Sequence, residues 1–491
     1  ELDIPHSGFY AEGAGATFFG EYKKEELYKV VSFGERHGFK VFSWQFPNMT
    51  QELAQELLPE CPKEELPITR NKNDEEEKLP VYIDFSHPRA KELLAAQWKD
   101  RMDAGIRGSM VDFGDVVPDE AVFYDGRRGD EMHNAYAYQY AKNYRELFEQ
   151  KYGDDHVLYT RGAAPGSQHF ACQFGGDQLT SFQGLKYAIA GGLSAAASGL
   201  PFWGVDAGGY DGFPDQETYL RWTEYAAFCP LMRFHGTEPR EPWEYDAFTV
   251  KVYRYYTWLR ENLRPYIVSV AAEAHKLGIP MMRPLAMMYP EDQEATKVWD
   301  EYLFGEDLLV APVSDETEER EIYFPEGRWI SLWNLNDEIS GPVQRSVEVP
   351  IDKIPVYIRE GSFLPLRLNE SLKLGESMSE SETEMILAVV PQNDSIVKET
   401  LYERSGAKTC CGMEKNGETI QLQISGRTAE LYVMLAGIHW KNTEAIVNGR
   451  TLTKVTAREG LYFTEGYLEL EEGILVKINP SAESVIKIQK K

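Results

Sequence analysis

Two aspartates close short apolar runs and sit beside glycines. They are Asp112 in Ser109-Met110-Val111-Asp112-Phe113-Gly114-Asp115 and Asp177 in Phe174-Gly175-Gly176-Asp177. An apolar run that stops at an acid is how a buried parallel strand delivers a carboxylate to the mouth of a barrel. Two such acids on different strand ends can stand on opposite sides of one bond. That is the equipment of glycoside hydrolysis, in which one carboxylate attacks the anomeric carbon and the other protonates the leaving oxygen. The acid partner needs a raised pKa, supplied by apolar neighbours or like charge, and Phe174 lies close to Asp177 in sequence. Taken alone, each aspartate is more simply a cap on the helix that follows. The chemistry therefore rests on the elements around the pair.

Those elements repeat. Residues 9–11 run into Glu12, 39–44 end at Trp44, and the next run ends at Asp112. Residues 157–160 lead to Arg161 and 170–174 lead to Asp177. Residues 200–205 lead to Asp206-Ala207-Gly208-Gly209-Tyr210, and 231–234 pass Arg233 to His235. Helical periodicity or a long loop follows each run. The helices are expected at 25–36 (stripe Leu27, Val30, Val31, Phe33), 89–104, 135–151, 181–198 and 248–277. Residues 51–74 are polar with three prolines and no clear period, and the charge run 73–78 reads as an exposed loop. Seven strand ends in series predict an α/β (β/α)₈ TIM barrel, whose strand ends converge on one face. On that face Arg161 and His235 can hydrogen-bond sugar hydroxyls, and Trp44 and Phe174 can stack on a ring. A closed barrel has eight strands, so the first is expected ahead of residue 1.

Beyond Gly278 the texture becomes short strands and turns, which predicts two C-terminal β-sandwich domains. The expected domains are 1–280 (barrel, N-terminally incomplete), 281–370 (proximal sandwich) and 371–491 (distal sandwich). Strands are expected at 302–313, 321–324, 329–333 and 356–358, with 372–384 an exposed connector rich in Ser and Glu.

Composition removes several alternatives. The net charge is −28 and no Lys/Arg cluster is visible, which excludes a duplex-binding surface and an anionic membrane as partners. The glycine-broken apolar stretch 188–205 is a poor membrane span. Five scattered cysteines make no CxxC or zinc-type set, which suits a cytoplasmic setting. Asp112-Phe113-Gly114 is also a kinase magnesium motif, but no Gly-rich loop, VAIK-type strand or HRD loop accompanies it. No metal and no cofactor are expected.

The ordered motifs resemble glycoside hydrolase family 31. Asp112-Phe113-Gly114-Asp115 is similar to the nucleophile segment of its α-xylosidase-like branch. Arg161, Gly166-Ser167-Gln168 and Gly175-Gly176-Asp177 are similar to the acid/base segment. Phe202-Trp203-Gly204-Val205-Asp206-Ala207-Gly208-Gly209-Tyr210 and Arg233-Phe234-His235-Gly236 resemble the next two strand ends. Phe304-Gly305-Glu306-Asp307, Ala311-Pro312-Val313 and Phe324-Pro325-Glu326-Gly327-Arg328-Trp329 resemble the sandwich that follows the barrel. The resemblance implies a retaining exo-acting α-glycosidase, with Asp112 the nucleophile and Asp177 the general acid/base. It implies a substrate subsite drawn from Glu12, Trp44, Met110, Arg161, Phe174, Asp206, Tyr210, Arg233 and His235. It also implies an N-terminal β-sandwich and a first barrel strand preceding residue 1.

There are departures. Asp115 stands where Glu is usual, Phe174 replaces a Trp, and Glu12 takes the place of an Asp. Met110 sits where α-xylosidases tend to carry Lys. Tyr210 leans toward the sulfoquinovosidases, but residues 12–20 lack their Arg and Trp. The expected partner is a small oligosaccharide or α-glycoside, such as an α-glucoside or α-xyloside, with a homo-oligomer left open. Three rivals stay open: a degenerate carbohydrate-binding relative, a transglycosylase and a sulfoquinovosidase.

Overall fold

The computed structural model describes residues 2–3, 24–70, 81–378, 384–393, 395–427, 429–462 and 464–491. The chain divides into two compact units, Glu1–Gly176 and Asp177–Lys491.

The first unit is built on parallel strands. Leu2–Asp3, Val41–Gln45, Gly108–Val111, Val157–Thr160 and Cys172–Phe174 pair in that order, all parallel. The strands at 41–45 and 108–111 are buried along their whole length. That is why they read as continuous apolar runs rather than as alternating ones. Helices Lys24–Arg36, Ala90–Ala104 and Gly129–Tyr152 come between strands. The last carries Tyr136, Tyr140 and Tyr144 at four-residue spacing down one face. Their rings lie 6.1 and 5.1 Å apart, and Trp98 meets Tyr144 edge-on at 5.8 Å. The Trp98 indole N–H donates to the Tyr144 hydroxyl at 3.3 Å.

Two expectations need correction in this unit. The helix expected from residue 135 starts at Gly129, because Glu131 accepts from the Arg128 N–H at 2.9 Å and Met132 is already buried. Residues 51–57, part of the stretch without a clear period, form helix Gln51–Leu57, capped by Thr50 accepting from Leu53 N–H at 3.1 Å. Leu53, Leu57 and Leu58 pack with buried Ala54 on the core of the unit, a stripe too short to stand out before Pro59. The expected run 9–11, Glu12 and the charge run from 73 lie outside the described residues.

In the second unit, strands Trp203–Asp206 and Leu231–Arg233 pair in parallel. Helix Phe182–Ala197 is capped by Ser181, and helix Gln216–Ala227 by Asp215, which accepts from Thr218 N–H at 2.8 Å. The second was not expected. Its charged residues Arg221 and Glu224 are buried and paired with each other at 3.1 Å, where charged residues are read as a solvated surface. The single helix expected over 248–277 is two, Ala247–Asn262 and Arg264–Leu277. Pro265 has no N–H to give the Glu261 carbonyl and its ring crowds that carbonyl, so the first helix stops.

The remainder is β. Six strands form an antiparallel sheet in the order Met282–Pro284, Tyr302–Phe304, Leu308–Val310, Val356–Arg359, Glu319–Ser331, Glu338–Glu348. The strand expected over 302–313 is a hairpin folded at Gly305, whose φ of 69° only glycine adopts at no cost. Strands expected at 321–324 and 329–333 are one strand, irregular between Phe324 and Gly327. Two further six-stranded sheets among the described residues share a core that includes Phe363, Met413, Val433 and Ile486. Residues 372–378 are not an exposed connector. Leu372 and Leu374 pack on the main core of the unit, and Gly375 N–H donates to Asn262 Oδ1 at 2.7 Å. Among the described residues no helix is long and apolar enough to cross a membrane.

Candidate active site

In the first unit the parallel register assembles one group of expected site residues. Trp44 and Met110 are register partners, and Met110 is in turn the partner of Tyr159. Asp112 is two residues beyond Met110 and so shares its side of the sheet. Its N–H extends the ladder, donating to the Gln45 carbonyl at 2.7 Å. The Trp44 indole N–H therefore reaches Asp112 Oδ2 at 2.9 Å. Asp112 is 5% exposed.

The turn that follows is strained. Phe113 has φ 57°, a left-handed conformation that costs a non-glycine residue about 1–2 kcal/mol. This turn brings Phe113 N–H onto Asp112 Oδ1 at 2.7 Å and sets the Phe113 ring 4.1 Å from the Arg161 guanidinium. Gly114 (φ 78°) completes it, and a Cβ there would come within 2.6 Å of the Tyr140 ring. Asp115 is thereby placed on Arg161, accepting from Nε and Nη2 at 3.2 Å each. Arg161 Nη1 lies 3.5 Å from Asp112 Oδ1, so one guanidinium spans both acids. Burial pushes the Tyr140 phenol well up, and Asp112 is among the nearby charges that add to the effect. Phe174 is buried in the core of this unit, 5.9 Å edge-on from Tyr159.

The second unit assembles the other group. Asp206 is fully buried and forms an ion pair with Arg233, its register partner on the neighbouring strand. Tyr210 and His235 bring their rings to 5.4 Å. Asp177 is exposed at the start of a loop that is tied to the Tyr210 loop, since Tyr210 N–H donates to the Gln178 carbonyl at 2.8 Å. Gly209 permits the approach, as a Cβ there would meet the Leu179 carbonyl at 2.6 Å. Thr237 N–H donates to the Tyr210 carbonyl at 2.9 Å, which brings in the loop that follows His235.

Thus Trp44, Met110, Asp112, Arg161 and Phe174 belong to the first unit. Asp177, Asp206, Tyr210, Arg233 and His235 belong to the second. Glu12 lies outside the described residues. Two contributors went unassigned in the sequence. Asp115 was noted only as a substitution for Glu, and its role on Arg161 follows from the strained turn. Arg240 is 6% exposed among loop carbonyls. Its one signal was a basic residue between Pro239 and Pro242 in a short loop. Burial lowers its pKa, with nearby Tyr245 and Asp206 acting in the opposite sense. Among the described residues no group of three or more His, Cys, Asp or Glu has the geometry to hold a metal ion.

The family model described as "Glycosyl hydrolases family 31 TIM-barrel domain" matches residues 19–270, and "Glycosyl hydrolase family 31 C-terminal domain" matches residues 278–364. An isomaltosyltransferase from Sporosarcina globispora is 32% identical over 430 residues, covering 82% of this chain and 39% of the relative. An alpha-xylosidase from Emericella nidulans is 32% identical over 294 residues, covering 58% of this chain and 38% of the relative. The chain thus spans about two-fifths of the length of these curated relatives. Among solved structures, the cycloalternan-forming enzyme from Listeria monocytogenes in complex with a pentasaccharide substrate superposes with a TM-score of 0.87 at 23% identity. It covers 100% of this chain and 49% of that one. That likeness is one of fold. A TIM-barrel domain followed by β-rich domains is the architecture expected from the series of strand ends.

Proposed function

The chain belongs to glycoside hydrolase family 31, and from that premise we propose that it is a retaining α-glycosidase acting on terminal α-glucosides, α-xylosides or related small saccharides. The observation that carries the reading is the setting of Asp112. The carboxyl group is buried at a strand end, and each oxygen has its own neutral donor, Trp44 Nε1 at 2.9 Å and Phe113 N at 2.7 Å. It is held in one orientation without being locked into a close ion pair, which suits a nucleophile that must form and release a bond.

In the proposed mechanism an Asp112 oxygen attacks the anomeric carbon as the bond to the leaving oxygen breaks. Asp177 gives that oxygen a proton. The leaving group departs with that proton; water then attacks the same carbon, the Asp177 carboxylate takes a proton from the water, and the ester to Asp112 breaks. Two inversions leave the configuration retained. Arg161, with its charge shared between Asp112 and Asp115, stabilises charge around the nucleophile. Trp44, Asp206, Tyr210, Arg233 and His235 are proposed to recognise the sugar.

Proton NMR of the first product from a 4-nitrophenyl α-glycoside tests this. The α-anomer should appear first and mutarotate. If the β-anomer appears first, the double displacement is wrong. A second reading, transfer to a sugar hydroxyl rather than to water, is favoured by the isomaltosyltransferase that matches 82% of the chain. Longer oligosaccharides in place of free sugar at high substrate concentration would select it.

A further inference from the structure

Three loops carry the second group of site residues: the one after Asp177, the one from Asp206 to Tyr210, and the one after His235. We propose that Arg240 is the positioning residue that clamps the Tyr210 and His235 loops together and so sets the sugar-recognising side of the site. The proposal rests on the glycosidase reading for what the loops do, but not for the clamp itself.

The geometry is dense. Arg240 Nε and Nη2 donate to the Gly209 carbonyl at 3.1 and 2.8 Å. Nη2 also donates to the Tyr210 carbonyl at 3.1 Å and the Gly212 carbonyl at 2.7 Å. Nη1 donates to the carbonyls of Glu238 at 2.9 Å and Pro239 at 3.1 Å. One planar fork therefore satisfies carbonyls on both sides of the gap between the loops. Lysine cannot do this, because its donors radiate from a single point. The cation is buried yet rests on carbonyl dipoles, whose negative ends it gathers.

The glycines around it make room. A Cβ at Gly236 would collide with the guanidinium, and one at Gly208 would lie 3.4 Å from Arg240 Cδ. Gly208 (φ 93°) and Gly209 (φ 80°) also turn the chain so that its carbonyls face the fork. Gly236 and Gly208 thus leave the space that Arg240 fills, while Gly209 turns its carbonyl to the fork and also admits the Leu179 carbonyl. Tyr219 supports the same loop from below, its hydroxyl donating to the Arg240 carbonyl at 2.8 Å.

The test compares wild type with Arg240→Gln, Arg240→Lys and Gly236→Ala. Gly236→Ala displaces the fork without removing its charge. The first measurement is amide hydrogen exchange. In Arg240→Gln, peptides covering 207–214 and 235–240 should exchange about 10-fold faster or more, with helices Phe182–Ala197 and Gln216–Ala227 unchanged. Gly236→Ala should loosen the same peptides, and Arg240→Lys should fall between wild type and Arg240→Gln. The second is steady-state kinetics. KM for a 4-nitrophenyl α-glycoside should rise about 10-fold while kcat stays within about 3-fold, the mark of lost uniform binding. Unchanged loop exchange overturns the clamp, and so does a uniform increase across the whole second unit, which would mean general destabilisation. Loosened loops with an unchanged KM overturn the positioning role. If wild type hydrolyses no α-glycoside, the glycosidase reading fails, and the exchange measurement still decides the clamp.

Discussion

Asp112 and Asp206 occupy equivalent places in the two units, and their surroundings differ. Each stands at the end of a parallel strand, and each meets an arginine at the end of the strand beside it. Val111 pairs with Thr160, so Asp112 is level with Arg161, and Asp206 is level with Arg233. In the second unit the pair closes into a direct ion pair around a fully buried carboxyl group. In the first, the left-handed turn at Phe113 presents a second acid, Asp115, which takes the arginine fork at 3.2 Å. Asp112 is left 3.5 Å from Arg161 and is oriented by an indole and a backbone N–H. The same strand-end device thus gives a locked acid in one place and a held but available acid in the other. The difference comes from Phe113-Gly114-Asp115, not from the strands.

The comparison can be broken in order of expected effect. Asp112→Asn should lower kcat by on the order of 10⁴-fold and cost only about 1–3 kcal/mol of stability, since its amide oxygen still accepts from one donor while its NH₂ faces the other. Asp206→Ala should act on stability as well as on sugar binding. It leaves Arg233 without its carboxylate, and the expected loss is about 3–5 kcal/mol in urea unfolding. If the two variants lose stability equally, the distinction between a locked and a held acid is wrong. Trp44→Phe removes one neutral donor from Asp112 and keeps an aromatic ring. A lost hydrogen bond to a charged group is worth about 1.5–3 kcal/mol, so kcat should fall roughly 10- to 100-fold with KM little changed.

The smallest effect is on pH dependence. Burial raises Glu224 in the second unit to about 8, with Arg221 opposing. The unfolded chain loses that proton near the ordinary glutamate value of 4.5 while the folded chain keeps it. The contribution of Glu224 is therefore fully present below 4.5 and is lost as pH rises toward 8. Asp103 in the first unit runs the other way. Hydrogen bonds from Lys151 and Lys99 lower it to about 2, so its contribution is present above 3.8 and is lost as pH falls toward 2. Glu224→Gln should flatten stability between about pH 5 and 8, as read by urea unfolding at several pH values. An unchanged slope would mean that Glu224 is charged in the folded state.

Much of the framework was legible in the sequence, because buried parallel strands are short apolar runs and their ends are marked by polar residues. The strands ending near Trp44, Asp112, Arg161, Asp177, Asp206 and His235 all lie where those runs placed them. Helix Gln216–Ala227 escaped because its charged residues Arg221 and Glu224 are buried against each other rather than exposed. The break before Arg264 was written in Pro265 but hidden by the stripes on either side. The site was less legible than the fold. Residue type gave Asp112 and Arg161 as candidates, but nothing in the sequence gives Phe113 its positive φ, and that turn decides how Arg161 divides between two acids. Arg240 was invisible for a related reason. A charged residue is read as exposed, and only the loop carbonyls that fold around it make it buried.

The most direct test of the central claim is covalent trapping with 5-fluoro-α-glucosyl and 5-fluoro-α-xylosyl fluorides, followed by peptide mass spectrometry. One glycosyl adduct should form on the peptide carrying Asp112, fragment to Asp112 itself, and be absent from Asp112→Asn. An adduct on Asp177 or Asp206, or turnover of an α-glycoside with no adduct on Asp112, would contradict the assignment of Asp112 as the nucleophile.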